Sequence, residues 1–444
     1  MVDASGKPRS WDANINAASW TGLIASWFGW FFDGYETYTL VLVALLAVRA
    51  LATVPPPQLP LYIGGLFAIT LVGWATGGLL AGVLADYIGR KRVLMYSIVV
   101  YAIFALLSAA SSNYWWLLAA RFCTGIGLGG EWGSGASLVG ELWPSAIRGR
   151  VAGIFQSAFG VGFLVATLVW IVVGPSGPNN WRIMFALGFL PAIFTLYIRT
   201  KVQDPELWTN ADAARRAASE RAQRGEQLPE ADRELVKFSV TRIFATPELA
   251  RRTFVLLLLS LTTLIGWWGI STWVPQYAGA LAAKAGLTDP RGFATSTALL
   301  YNVGGIIGYA GFGFIADGLG RKATMWIYFI ISLIINPVLF LWTKDPTMVM
   351  VVATINGFFT LGQFSWMAVY VPELFPTAVR ATAVSVVFNL ARYIVAVTTF
   401  YSGVLAVHLG GIAQAATVIG FIYVLGLVVT PFAGPETKGQ PLPA

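Results

Sequence analysis

The stretch GVLADYIGRKRVLM, residues 82–95, returns in the second part of the chain as GFIADGLGRKATM, residues 313–325. In both copies an apolar run ends in an aspartate, a glycine and a basic group. An aspartate at this point can accept hydrogen bonds from a helix N-terminus and complement the dipole of that helix. We interpret Asp86 and Asp317 as residues that hold a gate shut, whereas the basic residues could serve either the gate or membrane topology alone.

A second motif repeats in the same way: GELWPSAIRGRVAG at 140–153 returns as PELFPTAVRATAVS at 372–385. The first pair of aspartates is 231 positions apart and the glutamates of the second motif are 232 apart, so the whole first half is repeated. Two six-helix halves related by a parallel repeat are a known transporter architecture. The predicted gate residues are Asp86, Arg90, Glu141, Arg148, Asp317, Arg321, Glu373 and Arg380.

The composition indicates an integral membrane protein. Of 444 residues, 57% are hydrophobic and 11% are charged, and the mean hydropathy is +0.68, whereas a soluble domain carries about 25% charged residues. The single cysteine, Cys123, and the single histidine, His408, exclude an internal disulfide framework and a His-rich metal site. The net charge of +8 could suggest nucleic acid, but in a membrane protein basic residues collect in cytoplasmic loops. We expect a lipid bilayer and no nucleic acid as partners.

Hydrophobic runs long enough to cross about 30 Å of hydrocarbon as helices divide the chain six and six. They fall at 20–48, 61–85, 93–111, 114–140, 150–174, 182–199, 253–281, 295–316, 323–343, 347–371, 379–407 and 411–433. The sequence thus predicts an all-α membrane protein with twelve transmembrane helices. Its parts are an N-terminal half over 1–199, a cytoplasmic central loop of helix and flexible linker over 200–252, and a C-terminal half with a short cytoplasmic tail over 253–444.

The basic residues predict that both termini are cytoplasmic. With that orientation, the opposite side carries only Arg49, Arg182, Lys284, Arg291 and Lys344, in agreement with the positive-inside rule. The cytoplasmic side carries Lys7, Arg9, Arg90, Lys91, Arg92, Arg148, Arg150, the basic residues between Arg199 and Arg252, Arg321, Lys322, Arg380 and Lys438. The polar N-terminus has no pattern of a cleaved signal peptide. We expect a multi-pass protein of the plasma (cell inner) membrane that functions as a monomer.

Two carboxylates lie inside the first apolar run, in GWFFDGYETYTLVLV at 29–43. Asp33 and Glu36 share one helix face at i and i+3, and a carboxylate in hydrocarbon costs about 3 kcal/mol or more. Burial and mutual repulsion favour the protonated form of a carboxyl group, whereas Arg121 in the fourth run stays charged. We predict that Asp33, Glu36 and Arg121 couple protons to transport; the alternative is a static ion pair that fixes helix packing.

Other polar side chains in the spans are candidates for binding a substrate. Arg392 either contacts an anionic substrate or pairs with a carboxylate such as Glu131. With two arginines and two or three carboxylates in the core, a small organic anion is the expected substrate. The further candidates are Asn302, Gln363, Asn389, Gln276, Tyr277, Trp268 and Trp273, although the tryptophans could equally serve packing.

The repeated GRK motif resembles the signature loop of the major facilitator superfamily, and the resemblance covers nearly the whole chain. The stretch 121–166, which begins RFCTGIGLGGEWG, is similar to the fourth and fifth helices of the sialate and monocarboxylate proton symporters. The Gly-Gly-Glu is shared with metabolite–proton symporters, and DGYET resembles the Asp-Gly-aromatic-Asp of aromatic-acid proton symporters. The tail PETKG at 435–439 is like the closing motif of sugar porters.

This resemblance implies that Glu36 faces Arg121, as a helix-one carboxylate faces a helix-four arginine in proton-coupled relatives. It also implies that Gln156 lies where sugar porters bind substrate. However, the seventh span, LIGWWGISTWVPQYAG, lacks the paired glutamines of those porters. We therefore predict proton-coupled symport of a monocarboxylate, a sialate-like acid or an aromatic acid by alternating access, with a sugar or polyol porter as the alternative.

Three other classes of membrane protein are less consistent with the sequence. A channel would need a filter motif, and an enzyme would need a nucleophile, metal cluster or phosphate loop. A receptor-like relative that does not transport would tolerate losses in the gate motifs, which are intact. We expect no enzyme activity, no metal and no cofactor, with the proton gradient as the driving force.

Overall fold

The computed structural model describes residues 15–55, 58–174, 177 and 179–443. These residues form helices joined by short connections, with no strand among them. Lys7 and Arg9, which contributed to the predicted orientation, lie outside the described residues.

The helices form twelve spans, which we number in chain order. In the first half, spans 1 to 6 are Ala17–Leu51, Leu59–Ile88, Arg90–Ala109, Tyr114–Leu142, Arg148–Val173, and Asn180–Leu187 with Pro191–Lys201. In the second half, spans 7 to 12 are Pro247–Ser271 with Val274–Lys284, Pro290–Leu319, Arg321–Pro337 with Val338–Trp342, Pro346–Thr360 with Ser365–Tyr370, Arg380–Asn389 with Ala391–His408, and Ile412–Gly420 with Ile422–Val429. The predicted all-α fold of two six-span halves is confirmed.

Ten helical stretches in the described part of the chain are long and apolar enough to cross a membrane. The other two spans are span 4, which carries Arg121, Glu131 and Glu141, and span 6, whose apolar stretch Asn180–Phe194 is short. Several spans that hydropathy predicts as single helices are interrupted. Span 6 breaks before Pro191, which has no N–H to continue the hydrogen-bond ladder.

Glycines bring the spans of each half into backbone contact. A Cβ on Gly73 of span 2 would collide with the carbonyl of Phe122 in span 4, and a Cβ on Gly125 would collide with the carbonyl of Thr70. Small residues allow this close approach between membrane helices. It fixes span 4, and with it Arg121, against span 2.

The two halves meet along two seams. Span 5 packs on span 8, where Gly153 lies against the carbonyls of Tyr309 and Ala310. Span 2 packs on span 11, where Gly82 lies against Ser385. Spans 1, 4, 7 and 10 therefore surround the centre between these seams.

The segment between the halves contains three short helices, Glu206–Gln223, Glu230–Val236 and Ser239–Arg242. It is bound to the end of span 2, because Trp208 Nε1 donates to the carbonyl of Asp86 at 3.1 Å and Arg215 Nη1 donates to the same oxygen at 2.8 Å. The segment predicted as helix and flexible linker thus contacts the gate motif directly.

Candidate functional site

One face of the bundle, on which span 1 begins and span 12 ends, carries two buried ionic clusters; we call it the terminal face. In the first cluster, Arg90 lies 3.0 Å from Glu141 and 3.3 Å from Asp86. Arg380 of the second half completes it with an Nη1 contact of 2.9 Å to the same Glu141 oxygen.

The second cluster repeats this arrangement with the halves exchanged. Arg321 lies 3.0 Å from Asp317 and 2.8 Å from Glu373, and Arg148 of the first half lies 3.5 Å from Glu373. All eight residues predicted for the gate thus meet in these two clusters, which we call the gate clusters. Each cluster takes one arginine from the opposite half, so both clusters bridge the halves.

The two aspartates of the gate clusters also bind helix N-termini of the opposite half. Asp86 accepts from the backbone N–H of Thr382 at 3.0 Å and from the hydroxyl of that residue at 2.6 Å. Asp317 accepts from the backbone N–H of Arg150 at 2.9 Å. A carboxylate satisfies orphan donors and complements the helix dipole at such a position, as the repeat predicts.

The C-terminal tail lies across the gate clusters. Glu436 accepts from the backbone N–H of Arg321 at 2.9 Å, and the hydroxyl of Thr437 donates to Glu373. The carbonyl of Pro443 accepts from Arg380 at 2.9 Å. The sequence comparison used PETKG only as a family motif and missed this contact.

A cavity of about 70 Å³ lies between the halves, toward the face opposite the terminal face. Tyr38 stacks on Phe163 with ring centroids 4.6 Å apart, and its hydroxyl lies near Asn302 of the second half and Thr167. This interhalf cavity is lined by Tyr38, Val41, Phe163, Trp267, Trp268, Ser271, Thr272, Pro275, Ala298, Tyr301, Asn302 and Leu361.

A second, smaller space of about 10 Å³ is lined by the predicted ion pair. Arg121 Nη1 donates to Glu36 at 2.7 Å, and both side chains are about 1% exposed. Arg121 also donates to the hydroxyls of Ser108 and Thr124, at 3.0 and 2.9 Å. Trp268 lines both this charge chamber and the interhalf cavity, so its indole separates them.

The third predicted coupling residue, Asp33, does not contact Arg121. Its carboxyl group lies near that of Glu131 in span 4, whose Oε1 packs against Gly29, one turn before Asp33. Both carboxyl groups are buried, and no N–H or O–H of the described residues donates to any of their four oxygens. The sequence offered Glu131 only as packing or as a partner of Arg392.

Arg392 lies close to this carboxyl pair without forming an ion pair in the described part of the chain. Its guanidinium carbon is 4.4 Å from the ring centroid of Trp74 and 3.9 Å from that of Phe388, and its Nη1 donates to Asn389 at 3.0 Å. Buried cations on aromatic faces gain cation–π energy but keep their charge. Arg392 is buried and lines neither the interhalf cavity nor the charge chamber.

Other predicted binding residues lie outside the two spaces. Gln156 is buried and its Oε1 accepts from Trp132 Nε1 at 2.9 Å, while its Nε2 has no partner among the described residues. Gln276 is exposed, and Tyr277 donates to the carbonyl of Thr343 at 2.9 Å, because the break before Val274 turns this part of span 7 away from the centre. Trp273 is buried without lining either space.

The sequence analysis missed Tyr38 of the interhalf cavity. This aromatic residue follows the two buried carboxylates Asp33 and Glu36 on span 1.

Comparisons with known proteins agree with this architecture. A family model described as "Sugar (and other) transporter" matches residues 21–444. The niacin transporter NiaP of Acinetobacter baylyi is 29% identical over 427 residues, which cover 93% of this chain and 93% of that protein. The cis,cis-muconate transport protein of the same organism is 28% identical over 385 residues, covering 85% and 86%.

A solved structure shares the fold. The major facilitator superfamily proton:xylose symporter XylE bound to 6-bromo-6-deoxy-D-glucose superposes with a TM-score of 0.76 at 18% identity, covering 96% of this chain and 98% of that one. The chain is therefore a multi-pass membrane transporter and not an enzyme. It belongs to the sugar (and other) transporter family.

Proposed function

We propose that this transporter carries a small organic anion together with protons by alternating access. The observation that carries the proposal is the Glu36–Arg121 ion pair in the charge chamber, with a second buried cation, Arg392, that no carboxylate neutralises within the described residues. Intramembrane ionisable groups are costly and mark substrate and proton pathways.

The ion pair suits exchange between an internal and an external carboxylate. Arg121 presents a planar fork that can bind a carboxylate with two parallel hydrogen bonds, and Glu36 uses one nitrogen of that fork, Nη1. When Asp33 or Glu36 takes a proton, the net negative charge of the site falls, and Glu36 can leave Arg121. A substrate carboxylate can then replace it on the guanidinium, so the loaded centre gains one anion and one proton together.

Arg392 extends this anion site to the second half. It lies on span 11, whereas Arg121 lies on span 4. An anion that contacts both arginines draws the halves together around it. An anion held by both arginines binds the closed state more tightly than the open state, and alternating access needs this difference in affinity.

The gate clusters fit the same cycle. They bridge the halves on the terminal face while the interhalf cavity lies toward the other face. We propose that the terminal face is cytoplasmic in the plasma (cell inner) membrane, as the basic loops predict. Both halves that build the centre belong to one chain, which supports a functional monomer.

The relatives support an acid as substrate, because niacin and cis,cis-muconate are both carboxylic acids and their transporters match most of this chain. Five aromatic rings around the interhalf cavity, those of Tyr38, Phe163, Trp267, Trp268 and Tyr301, suit a planar or unsaturated body.

A sugar or polyol porter is the second candidate, favoured by the fold shared with XylE. Against it, the one glutamine that the resemblance assigned to sugar binding, Gln156, lines neither the interhalf cavity nor the charge chamber. The polar groups of the interhalf cavity are few and include Asn302, Ser271 and Thr272.

Uptake into proteoliposomes tests the proposal. A panel of labelled acids (lactate, sialate, a benzoate-type acid, niacin and a dicarboxylic acid) is compared with a hexose, with and without an inward proton gradient, for the wild type and Glu36→Gln. Gradient-driven uptake of an acid that Glu36→Gln abolishes is the expected result. Hexose uptake that ignores the gradient, or a variant that still concentrates the acid fully, would overturn it.

A further inference from the structure

We infer that Asp33 and Glu131 form one proton-binding site and share a single proton between their carboxyl groups. This inference rests on the proposed proton-coupled function and names the groups that hold the coupling proton. It separates the proton site from the Glu36–Arg121 pair, one helical turn away.

The contact between the two carboxyl groups requires a proton. Asp33 of span 1 and Glu131 of span 4 are 0% and 1% exposed, and Glu131 Oε1 packs against Gly29, one helical turn before Asp33. None of their four oxygens receives a donor from the described residues. Two ionised carboxylates in contact without donors repel each other, whereas one protonated partner donates to the other and satisfies both.

The charged and titratable groups that face this carboxyl pair belong to several spans. Glu36 lies on the same helix as Asp33, Tyr101 approaches from span 3, and Arg392 approaches from span 11. The Tyr101 hydroxyl also lacks a partner in the described structure. It therefore does not satisfy the carboxyl pair, and Arg392 contributes the only nearby positive charge among these groups.

Charge balance gives the number of protons. The centre contains three carboxylates, those of Asp33, Glu36 and Glu131, and two arginines, Arg121 and Arg392. With every group ionised it would carry one net negative charge in a membrane interior, which is expensive. One proton on the Asp33–Glu131 pair makes the centre neutral.

The Glu36–Arg121 ion pair in the charge chamber is already neutral and needs no added proton. Glu36 accepts a 2.7 Å hydrogen bond from a guanidinium that cannot lose its proton. Glu36 is thus the carboxylate that a substrate displaces, and the Asp33–Glu131 pair stores the proton. Arg392 connects substrate binding with proton binding. Its positive charge favours ionisation of the Asp33–Glu131 pair, and a substrate anion bound to Arg392 neutralises that charge. Anion and proton then bind cooperatively, and this coupling is reciprocal.

The experiment is infrared difference spectroscopy of the purified full-length protein in lipid nanodiscs, without substrate. At neutral pH the wild type should show the C=O band of a protonated carboxylic acid, which shifts in D2O. Either Asp33→Asn or Glu131→Gln should remove this band, because the new amide donates to the remaining carboxylate and stabilises its ionised form. The surface variant Glu248→Gln should keep it.

A band that survives in both Asp33→Asn and Glu131→Gln, or that disappears only in Glu36→Gln, overturns the inference. Two variants at different spans guard against one of them failing to fold. Because no substrate is present, the result stands apart from the uptake panel: an acid-carrying function can fail there while the shared proton is still detected.

A transport assay adds a second readout. Glu131→Gln should lose proton-driven accumulation of the acid by about tenfold or more, while exchange of labelled for unlabelled acid, which moves no net proton, stays within about threefold of wild type. A variant that still accumulates the acid like wild type would contradict the assignment, and a loss of both activities in equal measure would point to a structural role instead.

Discussion

The gate clusters and the centre treat buried charge in opposite ways. At the gate, each carboxylate is bound to at least one arginine, and the arrangement occurs twice. In the centre, the three carboxylates all belong to the first half. At the repeat offset of 231 positions, Asp33 and Glu36 correspond to Leu264 and Trp267.

This difference separates charges that can serve a motion of both halves from charges that serve a site in one half only. Charges with a copy in each half can serve a motion that both halves share, namely opening and closing one face. Charges without a copy break the symmetry of the two halves. We therefore expect substitutions in the centre to abolish transport, and substitutions at the gate to change the balance between conformations.

The largest effect is expected for Arg121→Gln. The substitution leaves Glu36 buried without its cation, and removing one partner of a buried pair costs about 3–5 kcal/mol. Substrate uptake should fall by more than about 100-fold, since each 1.4 kcal/mol is a factor of about ten. The measurement is the initial rate of proton-driven acid uptake in proteoliposomes.

Arg121→Lys is the matched control for charge. It keeps the positive charge but loses the planar fork, so uptake should recover only in part. If Arg121→Gln concentrated the acid as well as wild type, the centre would be structural and the contrast with the gate would disappear.

At the gate, Glu373→Gln should open the terminal face more than Glu141→Gln. Glu373 accepts from Arg321 at 2.9 and 2.8 Å and also from Thr437, whereas Glu141 binds its two arginines through one oxygen only. Loss of a charge-assisted hydrogen bond costs about 1.5–3 kcal/mol. The open population should therefore rise by roughly tenfold to 100-fold in Glu373→Gln, and by less in Glu141→Gln.

Thiol labelling measures this population. Because Cys123 is the only cysteine, Cys123→Ser gives a silent background for Ser385→Cys, a buried reporter between span 11 and Gly82. A membrane-impermeant maleimide applied from the terminal face should react faster when the gate opens. Equal labelling in both glutamine variants would show that the clusters are equivalent despite their different contacts.

The fold was predictable because its signals are local. Apolar runs of sufficient length, basic loops and a repeat at one offset specify twelve spans, and the gate residues followed from the repeat. The interruptions in spans 6 and 10 were not predicted, because a membrane helix tolerates Pro and Gly when neighbouring spans satisfy the freed backbone groups.

The centre was predictable only in part. Glu36 and Arg121 could be paired through a family resemblance, but the contact of Asp33 with Glu131 joins residues 98 positions apart on different spans. Which faces of two helices meet depends on tertiary packing, here on glycines that set the approach of span 4. The same reasoning placed Gln276 and Tyr277 at the site, because hydropathy does not reveal that span 7 breaks before them.

A smaller effect is expected for Thr437→Val in the tail. The substitution removes one hydroxyl hydrogen bond to Glu373, which contributes about 1 kcal/mol. Labelling of the Ser385→Cys reporter should rise by up to about fivefold, and uptake should continue. A response as large as that of Glu373→Gln would mean that the tail, rather than the arginines, holds the second gate cluster together.

The smallest effect separates the two sets of candidate binding residues. Tyr38→Phe removes only the hydroxyl that contacts Asn302 at the interhalf cavity, so the half-saturating acid concentration should rise by about threefold to fivefold, as expected for one hydrogen bond of about 1 kcal/mol. Gln276→Ala, at an exposed position on span 7, should leave it unchanged. Uptake curves as a function of acid concentration for both variants decide between the two sets of residues.

If Gln276→Ala impaired uptake and Tyr38→Phe did not, the substrate would approach along span 7 instead of through the interhalf cavity. Trp268 would then no longer be the residue that separates the substrate from Arg121.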